Sequence, residues 1–146
     1  MLFVLFSIKG ERFVIDAASI VEIIPQVEWI RVADAPPHVA GVINYRGRPV
    51  PIIDLCSLLA ASPCSRRHSS RILLLDHPGE TGQGRLYGLL AEQIIETRKY
   101  PASGREKFFL PPPASAEAEG EPLQRFDCKR FVPKNVLADA FALVDE

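Results

Sequence analysis

The stretch that most constrains this chain is Gly41-Val-Ile-Asn-Tyr-Arg-Gly-Arg-Pro-Val-Pro-Ile-Ile-Asp-Leu55. Two apolar runs flank Arg46-Gly47, the pattern of a β-hairpin turning on a glycine. With a period of two, Val42 and Asn44 face one side of the incoming strand, and Ile43 and Tyr45 the other. On the outgoing strand Val50 and Ile52 share a face, with Pro49, Pro51 and Ile53 opposite. Neither proline has an N–H, and alternate residues turn their amides to the same side. One side of this strand therefore loses two donors in a row, which predicts an edge strand or a bulge. Arg46 stands at the tip, with Gly47 supplying the backbone freedom of the turn.

Short strands with turns between them continue in both directions. Leu2 to Ile8 is a nearly continuous apolar run, as expected of a strand covered on both faces. Lys9-Gly10-Glu11 is a turn, and Arg12 to Asp16 returns. Ile20 to Ile24 is a third strand, with Val21 and Ile23 on one face and Glu22 between Ile20 and Ile24 on the other. Glu28 to Val32 alternates as a fourth. Asp34-Ala-Pro-Pro reads as a capped single helical turn. Asp54 is a good N-cap for a short helix carrying Leu55, Leu58 and Leu59. Ser62 to Ser70 is a small-residue connector with a basic centre. Arg71 to Asp76 and Arg85 to Ile95 read as strands around a Gly-rich turn, and Gly88 marks a bulge or a close backbone approach. Thr97 to Tyr100 carries the strand pattern on weakly. Pro111 to Pro122 is poor in apolar groups and reads as a surface loop. Gln124 to Val132 is a further strand candidate. Pro133 to Val144 is helical, with Val136, Leu137, Ala140, Phe141 and Val144 in one stripe.

This pattern specifies an all-β chain with short helices, and by itself leaves barrel and sandwich open. At 146 residues the chain is long enough for a core without staples. A net charge of −1 gives no electrostatic reason to expect nucleic acid or an anionic membrane. The apolar opening is short and without a basic leader, so it reads as a strand rather than a signal peptide or anchor. Three cysteines, Cys56, Cys64 and Cys128, form an odd set without paired spacing and are read as free thiols of a reducing compartment.

Chemistry is sparse. His38, His68 and His77 lack metal-ligand spacing, and no metal or cofactor is expected. Asp76-His77 invites a catalytic reading, yet no nucleophile elbow accompanies it. Arg66-Arg67 is too small a cluster to read as a nucleic-acid site. Glu22 and Arg46 are ambiguous. Either Glu22 is a surface carboxylate and Arg46 fixes the turn through Glu22 or Asp54, or both belong to a protein-binding surface, where a planar guanidinium is favoured. Trp29 reads as a core aromatic.

The ordered set FVIDAASIVEII, GVINYRGRPVPIIDL and YGLLAEQII resembles the CheW-like family, the coupling proteins of bacterial chemosensory arrays. The resemblance covers Leu2 to Leu59, extends through Arg71 to Ile95 and fades after Tyr100. It implies two packed SH3-like five-stranded barrels, followed by the C-terminal helix. The chain would be a single CheW-like domain over 1–146, with lobes at 1–61 and 70–146 and a connector at 62–69. The second lobe would be remodelled and would borrow the first strand. The implied role is a cytoplasmic, non-catalytic adaptor, without membrane insertion. Its partners would be the regulatory domain of a CheA-type histidine kinase and the cytoplasmic tip of a methyl-accepting chemoreceptor. The implied protein-binding residues are Glu22, Asn44, Arg46 and Gly47, supported by Ile24 and Asp54. The competing readings are a small-ligand-binding β-barrel and a hydrolase built from separated strands.

Overall fold

The apolar runs form two five-stranded sheets in a computed structural model that describes residues 2–25, 29–65, 70–78, 84–99, 109–110 and 123–145. In the first sheet β1 (Leu2–Ile8) and β2 (Glu11–Asp16) make an antiparallel hairpin over Lys9-Gly10. On the far side of β1 lies β8 (Gln93–Lys99), and on the far side of β2 lies β10 (Leu123–Arg125), running parallel. The short β9 (Phe109–Leu110) pairs with β10. The second sheet has the order β3 (Ile20–Pro25), β6 (Arg71–Pro78), β7 (Gly84–Ala91), β5 (Arg48–Asp54), β4 (Val39–Tyr45). Each sheet takes strands from both sides of residues 62–69, so the two lobes share strands rather than dividing the chain in half.

The main core lies between the sheets. Val4, Phe6, Ile8, Phe13 and Ile15 meet Ile53, Leu73, Leu75, Tyr87 and Leu89 there. Helix α3 (Lys134–Val144) closes this core with Val136, Leu137, Ala140 and Phe141, the stripe expected of the sequence. Its N-cap is Pro133, whose fixed φ suits a helix start. The outer face of the first sheet buries Phe3, Leu5 and Val14. The second sheet buries Ile43, Val50, Ile52, Ile72, Leu74 and Leu90 on its other face. The unbroken run in β1 is thus explained: its two faces serve two different clusters.

Several local expectations need correction. Strand β5 is not an edge, because β7 pairs with it at Ile52–Asp54. That pairing begins beyond Pro49 and Pro51, so the missing donors fall where β5 has only β4 beside it. Residues 29–32 make no strand, only a bridge from Ile30 to Val42. At Asp34-Ala-Pro-Pro the backbone makes two successive turns, Ala35 N–H to the Val32 carbonyl and Val39 N–H to the Pro36 carbonyl (both 3.2 Å), in place of a helical turn. Asp34 itself adopts a left-handed φ of 56°, which an N-cap does not use. The alternation in β3 breaks at a bulge between Ile20 and Glu22. Val21 is the extra residue and is exposed, and Ile20 and Ile23 consequently reach the main core together. The chain after Gln124 leaves the sheet at Arg125, and Asp127 caps α2 (Cys128–Phe131) by accepting the Lys129 N–H at 3.0 Å. Gly88 is a close approach rather than a bulge: a Cβ there would lie 2.8 Å from Ile72 Cγ2. The Pro111 to Pro122 loop, His68 and the centre of the 78–84 turn lie outside the described residues.

Candidate functional site

Tyr45 pairs with Arg48, so the central hairpin turns on two residues, Arg46 (φ 51°) and Gly47 (φ 81°). Positive φ at both positions is the primed turn that matches the twist of paired strands. Asn44 Oδ1 accepts the Gly47 N–H at 2.8 Å and holds the turn from below. Arg46 extends from the tip with its guanidinium 5.2 Å from the Tyr45 ring centroid. Its Nη2 lies 3.7 Å from Glu22 Oε1, the two side chains being 77% and 41% exposed. An exposed pair of this kind contributes only about 0–1 kcal/mol. Glu22 sits on β3 and Arg46 directly follows β4, the two outer strands of the second sheet. The ion pair thus links the two edge strands of this sheet at the hairpin tip.

Beside the tip is a groove of about 250 Å³, lined by Gly47, Arg48, Pro49, Val50, Arg85, Leu86, Phe141 and Val144. Arg85 lies 4.3 Å over the Phe141 ring and pairs with the Asp145 carboxylate, which fixes the end of α3 against the start of β7. Of the other expected residues, Ile24 is half-buried against the second core cluster. Asp54 does not join this surface. At the opposite end of β5 it is buried and caps α1 (Leu55–Ala60), accepting the Ser57 N–H at 3.1 Å. Its two oxygens also take the Cys64 N–H at 3.2 and 3.1 Å. The partner of Arg46 is thus Glu22 and not Asp54.

The expectation of free thiols fails at two positions: Cys56 and Cys64 form a disulfide across eight residues. Helix α1 reverses at Ala61, in a left-handed conformation (φ 59°), and returns Cys64 to the first turn it left. Spacing alone does not reveal such a pairing, because the intervening helix sets the distance. The ligand atoms of Asp54, Cys56 and Cys64 fall within 4.8 Å of one another, but the two sulfurs are bonded to each other. A second cavity, of about 360 Å³, opens beside this pair, with Trp29, His38, Asp54, Ser57 and Cys64 among its walls. His38 Nδ1 lies 2.9 Å from Ser57 Oγ there.

Two buried polar groups were missed in the sequence. Glu92, the one charge within LLAEQII, is 7% exposed at the β7–β8 junction. Burial pushes its pKa up, but the N–H groups of Lys9 and Ser65 and the Lys9 charge reverse this and leave it below the usual carboxylate value. Burial pushes Tyr87 far up, and the neighbouring Cys128 adds to the shift.

The model of the CheW-like domain matches residues 2–114. The chain is 26% identical to protein PilI of Pseudomonas aeruginosa over 96 residues, 66% of this chain and 51% of that protein. It is 31% identical to the chemotaxis protein CheW of Helicobacter pylori over 75 residues, covering 51% of this chain and 46% of that one. To CheW of Klebsiella aerogenes it is also 31% identical, over 94 residues, with 64% and 54% covered. The chain thus spans about half the length of the curated relatives it matches. The crystal structure of the scaffolding protein TtCheW from Thermoanaerobacter tengcongensis superposes with a TM-score of 0.69 at 22% identity, covering 92% of this chain and 89% of that one. That likeness establishes the fold as two SH3-like β-barrels.

Proposed function

The chain belongs to the CheW-like family, and from that membership we propose that it is an adaptor coupling a CheA-type histidine kinase to a methyl-accepting chemoreceptor in a chemotaxis or related chemosensory pathway. The family is one of non-catalytic scaffolding proteins, and no bond-making step is needed for this role. We read residues 1–146 as one such unit, acting in the cytoplasm at receptor arrays. Among the described residues no helix is long and apolar enough to cross a membrane.

The observation that carries this reading is the exposed Glu22–Arg46 pair between the edge strands of the second sheet, within the residues that the family model matches. An ion pair that contributes little to folding leaves both groups available to a partner's acceptors and donors. The primed turn and the Asn44 bond present Arg46 rigidly, which lowers the ordering cost of docking. The neighbouring groove has the mixed apolar and basic lining that suits an amphipathic helix such as a receptor tip. The kinase's regulatory domain would dock end-on against one barrel, and signal would pass as a shift in the kinase's conformational populations.

The test is reconstitution of kinase, receptor and this protein, with kinase output read with and without stimulus. Arg46→Asn keeps a residue suited to the turn and removes the guanidinium; Glu22→Lys reverses the other charge. Both variants are expected to fold and to lose stimulus control. Full control by both folded variants would overturn the assignment of this surface.

A further inference from the structure

The geometry points to Cys56–Cys64 as a reversible thiol–disulfide exchange site, attacked at Cys64 by a dithiol reductant, whose state sets the mobility of residues 61–65. Access is one-sided. Cys56 is fully buried in the first turn of α1, whereas Cys64 is half-buried and faces the cavity of about 360 Å³. An incoming thiolate therefore reaches the Cys64 sulfur from the cavity and has no comparable path to Cys56.

Both oxidation states have local partners. In the open state a Cys64 thiol finds the Leu90 carbonyl oxygen at 3.6 Å as its acceptor. The Asp54 carboxylate grips the Cys64 N–H with both oxygens, so residue 64 stays near α1 after the sulfur bond is broken. A separation of only eight residues keeps the two thiols at high effective concentration for reclosure.

What the bond controls follows from what else holds the segment. Ala61, Ser62, Pro63 and Ser65 are exposed, and the polar ties are Asp54 to the Cys64 N–H, Glu92 to the Ser65 N–H (3.2 Å) and the Ser70 hydroxyl, which donates to the Ser65 carbonyl at 3.1 Å. The disulfide is the covalent one. Its loss leaves the short connection after α1 held by these hydrogen bonds and by the packing of the Cys64 side chain on the core, the condition for local opening without loss of the core. In a reducing compartment, the location proposed above, disulfides are transient and redox-sensing rather than structural.

The exchange balances as two thiol substitutions. A thiolate of the dithiol attacks Cys64 Sγ, the S–S bond breaks, and Cys56 leaves as a thiolate that takes up a proton. The second thiolate of the reductant attacks the sulfur of its own chain in the mixed disulfide and releases Cys64. Two electrons pass to the protein, and the dithiol ends as its cyclic or protein-bound disulfide.

The test equilibrates the folded protein in buffers of fixed reduced-to-oxidised dithiothreitol ratio. Thiols are then alkylated and mapped by mass spectrometry, with circular dichroism and amide exchange measured alongside. Cys56 and Cys64 are expected to change together across the series, while Cys128 stays alkylated throughout. The spectrum should hold, and amide exchange over 61–65 should quicken about tenfold in the reduced state. A Cys64→Ala variant is expected to show the fast exchange at every ratio. If that variant does not fold, the wild-type map alone decides. A pair that never oxidises in the folded protein, one that opens only with loss of the spectrum, or reduction without faster exchange would each overturn the proposal.

Discussion

Glu92 Oε1 accepts the backbone N–H of Lys9 at 2.7 Å, joining positions 83 residues apart. The other oxygen takes the Ser65 N–H at 3.2 Å, with the Lys9 ammonium 4.0 Å away. One buried carboxylate thus ties the first hairpin, the segment after α1 and the β7–β8 junction together. Its pKa is lower folded than unfolded, so the unfolded chain binds more protons in acid. The stability it contributes is present above the ordinary carboxylate pKa of 4.5 and is lost as pH falls through the folded value. Glu92→Gln should lose about 1–3 kcal/mol at neutral pH and show a flatter acid limb. Urea unfolding across the acid range measures both. An acid limb identical to wild type would remove Glu92 from this role.

At the hairpin tip Arg46 occupies a left-handed conformation that a long side chain adopts at a cost. Asparagine before glycine is the preferred pair for this turn. Arg46→Asn should therefore leave stability unchanged or raise it by up to about 1 kcal/mol, even though the pair with Glu22 is gone. Denaturant midpoints decide this. A clear loss of stability would make the ion pair structural.

Gly88 is fixed by its neighbour on β6. A side chain there collides with Ile72 Cγ2, so Gly88→Ala should cost about 1–3 kcal/mol. Adding Ile72→Leu removes the Cγ2 branch that meets this Cβ, and the two substitutions should be non-additive in a double-mutant cycle. Strict additivity would place the strain elsewhere.

Phe126 packs on Phe6, Phe13 and Phe131, with ring centroids 5.7, 6.2 and 5.1 Å away. Its N–H also continues the ladder to the Val14 carbonyl at 2.7 Å. Phe126→Ala should cost about 3–5 kcal/mol in unfolding experiments. A change below about 1 kcal/mol would show that the segment after residue 122 is an appendage rather than part of the core.

The readable parts of the sequence were those where side-chain periodicity and backbone geometry agree. The hairpin at Arg46-Gly47, the two-faced β1 and the α3 stripe each follow from a period and a punctuating residue. The missed parts depend on contacts between distant segments. Val21 breaks the period of β3 because β6 imposes a bulge, which no local signal announces. Prolines 49 and 51 pointed to an edge strand or a bulge, and β5 is neither over its whole length, because β7, more than thirty positions on, pairs with its last residues. Asp54 reads equally well as a cap or as a partner for Arg46; only the placement of α1 decides for the cap. Glu92 did carry a signal, an isolated charge in an apolar run, which is as much a mark of a satisfied buried group as of a surface one.

The sharing of strands between the sheets has a consequence for biosynthesis. The β1–β2 hairpin can form as soon as Asp16 is made, yet β8 and β10 close its two sides only after Lys99 and Arg125 have emerged. Until then the hydrogen-bonding edges of this apolar hairpin stand open. Such long-range closure slows folding and leaves the nascent chain prone to pairing with other strands. A chain built this way has reason to engage holdase chaperones early, and its yield on synthesis should respond to them more than its final stability does.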